Sequence, residues 1–263
     1  MSHLYIACRW CPFLQVHLES RRWNKSKCVD PIQAETYCIE NFRYTYKEER
    51  KCPCNNILPT YRSVKKKLLF LIEYQNEWLS EDGKIHHLIK DHQQFADSIE
   101  SSKKLLEAAR KTDIQIIHCG LFFEENHFEL GNTTYGLRAA ISTFKTFIKG
   151  SPGSQFGEAF TPESGEFVVS GRTGASGFAG SNLDSFLRNQ GINKIYIAGY
   201  ALHVCVESTL RHGHDLGYEV TIVEDATSAF KQEQRKHVLE HVVHHYGKSI
   251  TVDQFIEKYI PCS

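Results

Sequence analysis

An α/β fold built on a parallel sheet is the class the sequence predicts, and two patterns carry that prediction. From Lys67 onward, short apolar runs alternate with longer stretches of helical period, the order in which strand and crossover helix follow one another in a parallel sheet. The apolar runs are nearly continuous, as in strands whose two faces are both covered by helices.

Taken in order, strands are expected at residues 68–72, 114–117, 167–169, 195–198 and 220–223, with a weaker sixth at 249–252. Helical patterns fall between them at 93–111, 137–147, 182–189, 206–216 and 232–246. Gly191 and Gly217 stand where two of these helices must stop, because glycine takes the left-handed cap conformation without steric cost. The stretch 120–166, with its Gly150-Ser-Pro-Gly153 turn, is too long for a simple connection and reads as an excursion that covers a site.

Before Lys67 the character changes. Cys8, Cys11, Cys28, Cys38, Cys52 and Cys54 crowd the first part, whereas only Cys119, Cys205 and Cys262 follow. Residues 1–63 are therefore expected to form a Cys-rich, poorly ordered N-terminal extension, and residues 64–263 the folded domain. Cys8-x-x-Cys11 with Cys52-x-Cys54 supplies four thiols, but the second spacing is too tight for a familiar zinc module.

Lys plus Arg and Asp plus Glu each total 31. That balance lacks the basic surplus that nucleic acid or an anionic membrane surface would call for, and it favours a small-molecule partner. No apolar run approaches the ~20 residues of a membrane helix. Residues 1–18 carry Arg9 and two cysteines within their only apolar stretch, so no signal peptide is read and a cytoplasmic protein is expected.

Ligands of open α/β sheets bind beyond the carboxyl ends of the strands. Glu73 ends the first expected strand, His118 the second, Arg172 follows the third, and Cys205 follows the fourth after a short turn. Cys205 falls where strand gives way to helix, and amides and the positive dipole end at a helix start favour thiolate over thiol. A carboxylate to move a proton, a fixed cation and a thiol to attack a carbonyl make a complete set for acyl transfer. Each also has a plainer reading: Cys205 as a small buried apolar residue, Glu73 and Arg172 as a structural ion pair, and His118 as a hydrogen-bonded strand-end histidine.

Three ordered blocks, Leu71-Ile-Glu-Tyr-Gln-Asn-Glu-Trp78, Gly171-Arg-Thr-Gly-Ala-Ser-Gly-Phe178 and Gly199 to Arg211, resemble the signature blocks of isochorismatase-like cysteine hydrolases. The resemblance implies a three-layer α/β/α Rossmann-like fold with a central parallel sheet of about six strands. It further implies assembly as a homo-oligomer and hydrolysis of carboxamide or ureido C–N bonds through a thioester. Block by block, it puts the general base on Glu73, where the family usually has Asp, the cation on Arg172, where it usually has Lys, and the nucleophile on Cys205. It also implies a cis peptide at Tyr200–Ala201 and an oxyanion hole formed by the amides of Ala201 and Cys205. Tyr200, His203, Phe178, Gln75 and Trp78 are the expected substrate contacts.

No cofactor or metal is expected. Nicotinamidase relatives hold a metal through an Asp-x-His pair, whereas this chain offers His118 and His127 without one. His237, His241, His244 and His245 share helical spacing and read as a solvated helix face. Two other classes stay open. In one, a catalytically silent member binds a metabolite or protein partner. In the other, a redox protein uses the Cys205 thiol, although no resolving cysteine stands near it in sequence.

Overall fold

The computed structural model describes residues 66–259. The expectations for residues 1–63, including the Cys8, Cys11, Cys52 and Cys54 set, lie outside the described residues.

Six strands form one sheet in the order β3-β2-β1-β4-β5-β6, and every pairing is parallel. They are β1 (Lys66–Ile72), β2 (Gln115–Cys119), β3 (Phe167–Val168), β4 (Ile192–Tyr200), β5 (Glu219–Ser228) and β6 (Lys248–Ile250). Parallel neighbours cannot be joined by a tight turn, so each connection crosses a face of the sheet. The helices are α1 (Asn76–Leu79), α2 (His92–Arg110), α3 (Gly136–Phe144), α4 (Leu183–Asn189), α5 (Glu207–Asp215), α6 (Gln232–His237), α7 (Val243–Tyr246) and α8 (Val252–Tyr259).

Strand alternation divides the core into two layers. Leu69 and Leu71 of β1 and Tyr196 and Ala198 of β4 face one side, where they meet Phe95, Leu105 and Leu106 of α2 and Phe255 of α8. Leu68, Phe70 and Ile72 face the other, against Leu187 of α4, Leu210 of α5 and Val243 of α7. With both faces covered, the continuous apolar runs of the sequence are explained.

The structure also departs from the expected elements. The sixth strand is Lys248–Ile250, and Val252 instead opens α8, its amide capped by the Asp225 carboxylate at 2.8 Å. That capping partner lies far back in the chain, so local pattern does not reveal it. The single turn of α1 has no apolar period and is held by the Gln75 carbonyl, which accepts the Trp78 and Leu79 amides. The helix expected from residue 206 starts earlier, as a π-helical turn at Leu202–Val206 that runs into α5.

The sheet order sets the location of the site. The chain leaves β1 toward β2 and β3 and then returns to its other side with β4, so a topological switch point lies between β1 and β4. In register there, Ile72 stands beside Cys119 on one side and Gly199 on the other.

Candidate active site

Glu73 is the first residue beyond β1. Its φ of 57° is in the left-handed region that side-chain-bearing residues seldom occupy, and its amide donates to the Cys119 carbonyl at 2.8 Å. The carboxylate is buried, at 1% exposure, with both oxygens engaged. Arg172 Nη2 donates to Oε1 at 2.6 Å, and Trp78 Nε1 donates to Oε2 at 2.9 Å.

Arg172 follows β3 after the turn at Gly171 and is equally buried. Its Nε donates to the Gly174 carbonyl at 3.0 Å, Nη2 to the Ala175 carbonyl at 2.5 Å, and Nη1 points at Cys119 Sγ, 3.8 Å away. Burial alone would lower its pKa, but Glu73 and the two neighbouring thiols, Cys119 and Cys205, hold it raised. It is a permanently charged fork with fixed geometry and carries no proton to give.

The Cys205 thiol interacts with both the Glu73 carboxylate and the Arg172 guanidinium. Burial pushes its pKa well above the ordinary thiol value, the Glu73 charge pushes it further, and Arg172 works in the opposite direction. Burial thus works against the thiolate that a helix start alone would favour. Among the causes acting on this thiol, burial is the largest and disfavours the thiolate, with Arg172 opposing it.

Gly199 allows this convergence. A Cβ at that position would come within 2.0 Å of the Ile72 carbonyl oxygen, and φ is +124°, so β4 can run this close to β1 only with glycine there. The Tyr200–Ala201 peptide that follows is cis. The Ala201 carbonyl then accepts the amides of Val204 and Val206 and closes the π-helical turn that presents Cys205.

Beside these groups opens a pocket of about 710 Å³, counting the space at its mouth. Glu73, Cys205, Ala201 and Trp78 are among the residues that line it. Its walls are Ile85, Leu88, Leu121, Phe147, Val204 and Phe230, together with Leu137, Ala140, Ile141 and Phe144 from α3. The excursion expected to cover a site thus supplies, through α3, one wall of the pocket.

Glu73, Arg172 and Cys205 are brought together, and Ala201 lies beside them. Among the expected substrate contacts, only Trp78 lines the pocket. Tyr200 packs into the core between Tyr74 and Phe95, with its hydroxyl 3.1 Å from Ser98 Oγ. Phe178 lies in the other core layer, stacked on Tyr218. The Gln75 amide is spent on the backbone, donating to the Leu121 and Ser154 carbonyls and accepting the Leu121 amide. His203 stands behind the wall, with its ring edge-on to Phe230 at 4.5 Å. Each of these residues belongs to a block that does form the site, but strand alternation or a turn directs its side chain elsewhere.

His118 is likewise engaged away from the pocket, with Nε2 2.7 Å from Glu166 Oε2. Strand β2 runs two residues beyond the expected 114–117, so Cys119 ends it, and successive strand residues face opposite sides. Cys119, whose burial pushes its thiol up to about 11, thereby touches Arg172 and was the residue missed by inspecting His118. His127 Nε2 bonds the Thr146 carbonyl at 2.8 Å. Among the described residues, no group of three or more His, Cys, Asp or Glu is arranged to hold a metal ion.

The fold and the site together define a class. The isochorismatase domain family model matches residues 67–254, and the chain belongs to that family. Curated relatives include ureidoacrylate amidohydrolase RutB of Rhizobium rhizogenes, 30% identical over 168 residues that make up 60% of this chain and 68% of that protein. The protein of the same name from Enterobacter sp. is 30% identical over 207 residues, covering 74% of this chain and 90% of its own. An isochorismatase-like hydrolase from Alkaliphilus metalliredigens is similar in structure, with a TM-score of 0.60 and 25% identity, covering 73% of this chain and 98% of that one. N-carbamoylsarcosine amidase from Thermoplasma acidophilum shares the fold, with a TM-score of 0.55 and 20% identity over 72% of this chain and 97% of that one.

Proposed function

We propose that this chain is a hydrolase of non-peptide C–N bonds that cleaves a small carboxamide or ureido compound through a thioester on Cys205. Relatives named as amidohydrolases support the reaction class. The observation that carries the mechanism is that the Glu73 carboxylate, held by Arg172 at 2.6 Å, and Cys205, the one cysteine among the described residues to do so, line the same pocket.

Burial disfavours the thiolate, so attack is coupled to proton transfer onto Glu73. The sulfur bonds to the carbonyl carbon, and the C=O electron pair moves to the oxygen, where the amides of Ala201 and Cys205 receive the negative charge. When the tetrahedral intermediate collapses, the C–N bond breaks and Glu73 returns its proton to the departing nitrogen. Glu73 then takes a proton from water, the hydroxyl adds to the thioester, and the acid leaves as the thiol is restored. Arg172 holds the carboxylate in place throughout, and Trp78 Nε1 holds its second oxygen. Glu73 takes the task usual for Asp with its backbone at a φ of 57° and both carboxylate oxygens held by Arg172 and Trp78.

The test is ammonia release from a panel of carboxamides and ureido compounds by the native protein, Cys205→Ser and Glu73→Ala. Turnover by the native protein that falls at least about 10³-fold in both variants is expected. Turnover that Cys205→Ser leaves unchanged would defeat the thiol mechanism, and oxidation of Cys205 to the sulfenic acid without any acyl adduct would favour a redox thiol instead.

A further inference from the structure

The pocket walls carry a statement about the substrate that the reacting groups do not. Among the described residues, the only acidic side chain lining the pocket is Glu73, and no Lys or Arg lines it. Away from the reacting end the walls are aliphatic and aromatic, with only His87 and Thr146 polar. Arg172, the one buried cation nearby, does not line the pocket. Its donors are committed to Glu73, the Gly174 and Ala175 carbonyls and Cys119.

We infer that the site selects neutral amides or ureido compounds whose non-reacting part is apolar, and rejects analogues that carry a carboxylate there. This rests on the hydrolase reading above and names its substrate class. A carboxylate pushed into these walls would lose its hydration with no cation or donor array to replace it, and would add a second negative charge to the one on Glu73. An alkyl or aryl group, by contrast, buries apolar surface against Leu88, Leu121, Phe147 and Phe230. The basic residues near these walls do not line the pocket: Lys84 Nζ donates to the Lys145 carbonyl, and Arg138 and Lys145 are exposed. Specificity then follows from a difference between ligands: the apolar wall gains little extra for one neutral ligand over another but discriminates strongly against charge.

The experiment compares matched pairs, hexanamide against the monoamide of adipic acid and butylurea against 4-ureidobutyrate, in two measurements. One is kcat/KM by the native protein; the other is Kd for Cys205→Ser by calorimetry, which needs no turnover. The neutral member of each pair is expected to be favoured at least about 100-fold in both. Leu137→Arg, which places a cation at a partly exposed position on the pocket wall, is expected to narrow the ratio at least about 10-fold. Equal or stronger binding of the carboxylate member, or binding of neither member at 10 mM, overturns the inference. If no amide is cleaved yet Cys205→Ser still prefers the neutral ligands, the hydrolase reading fails and the pocket assignment stands. If the carboxylate members are the better substrates, the reverse holds.

Discussion

Glu73 and Arg172 form a buried ion pair at 2.6 Å, and removing one member leaves the other charged and unpaired in the core. Arg172→Met is expected to destabilise the domain by about 3–5 kcal/mol in urea denaturation, and adding Glu73→Leu to it is expected to recover most of that loss. Arg172→Lys keeps the charge but cannot reach Glu73 and both backbone carbonyls at once, so an intermediate loss is expected. A second, partly buried pair, His118 with Glu166, does not line the pocket and contributes to the response to acid. Burial alone would raise the Glu166 carboxyl, but hydrogen bonds from Arg110, from the Glu163 amide and from His118 hold it down to about 2, whereas burial lowers the His118 pKa. In both cases the unfolded chain binds the proton more readily than the folded one, so stability is lost as the pH falls: below about 6.5 for His118, and from about 4.5 down toward 2 for Glu166. Urea midpoints across that range are expected to show both losses, and Glu166→Gln is expected to remove the lower one. At this scale the sequence made Glu73, Arg172 and Cys205 legible because each follows a strand. Tyr200, Phe178 and Gln75 point away from the pocket, because the direction of a side chain depends on alternation and on backbone partners far away in the chain.

The element that most tightly constrains the site is the passage from β4 into its π-helical turn. Gly199→Ala would put a methyl group 2.0 Å from the Ile72 carbonyl oxygen at a φ that favours glycine. A loss of at least about 2 kcal/mol in folding stability is expected, together with loss of activity, because β4 must move away from β1 and carry Cys205 with it. The strand pattern was readable because each strand is buried on both faces, and the main helices because they are long enough to show a period. What escaped the pattern was short or held by remote partners: α1, anchored by the Gln75 carbonyl, and the start of α8, capped by Asp225. The π-helical turn at Leu202–Val206 also escaped, since its start depends on the Ala201 carbonyl accepting two amides.

For the molecule as a whole, the sheet order explains why residues so distant in sequence come together. The β1/β4 switch point gathers the ends of β1 and β4 at one edge, β2 brings Cys119 alongside, and the segment after β3 delivers Arg172. The 120–166 excursion then returns over that edge, so its α3 forms a wall of the pocket rather than a layer of the core. The fold class and the gathering of Glu73, Arg172 and Cys205 were therefore accessible from strand ends and ordered blocks, whereas the pocket walls depended on this return and were not. The central claim is that carbon–nitrogen cleavage passes through an acyl group on Cys205. Acid quenching of the native protein during turnover of a neutral amide, followed by peptide mass spectrometry, tests it most directly. The account predicts the mass of the acyl group on the peptide containing Cys205, absent in Cys205→Ser; undiminished turnover in Cys205→Ser, or an acyl group found only on another residue, would contradict it.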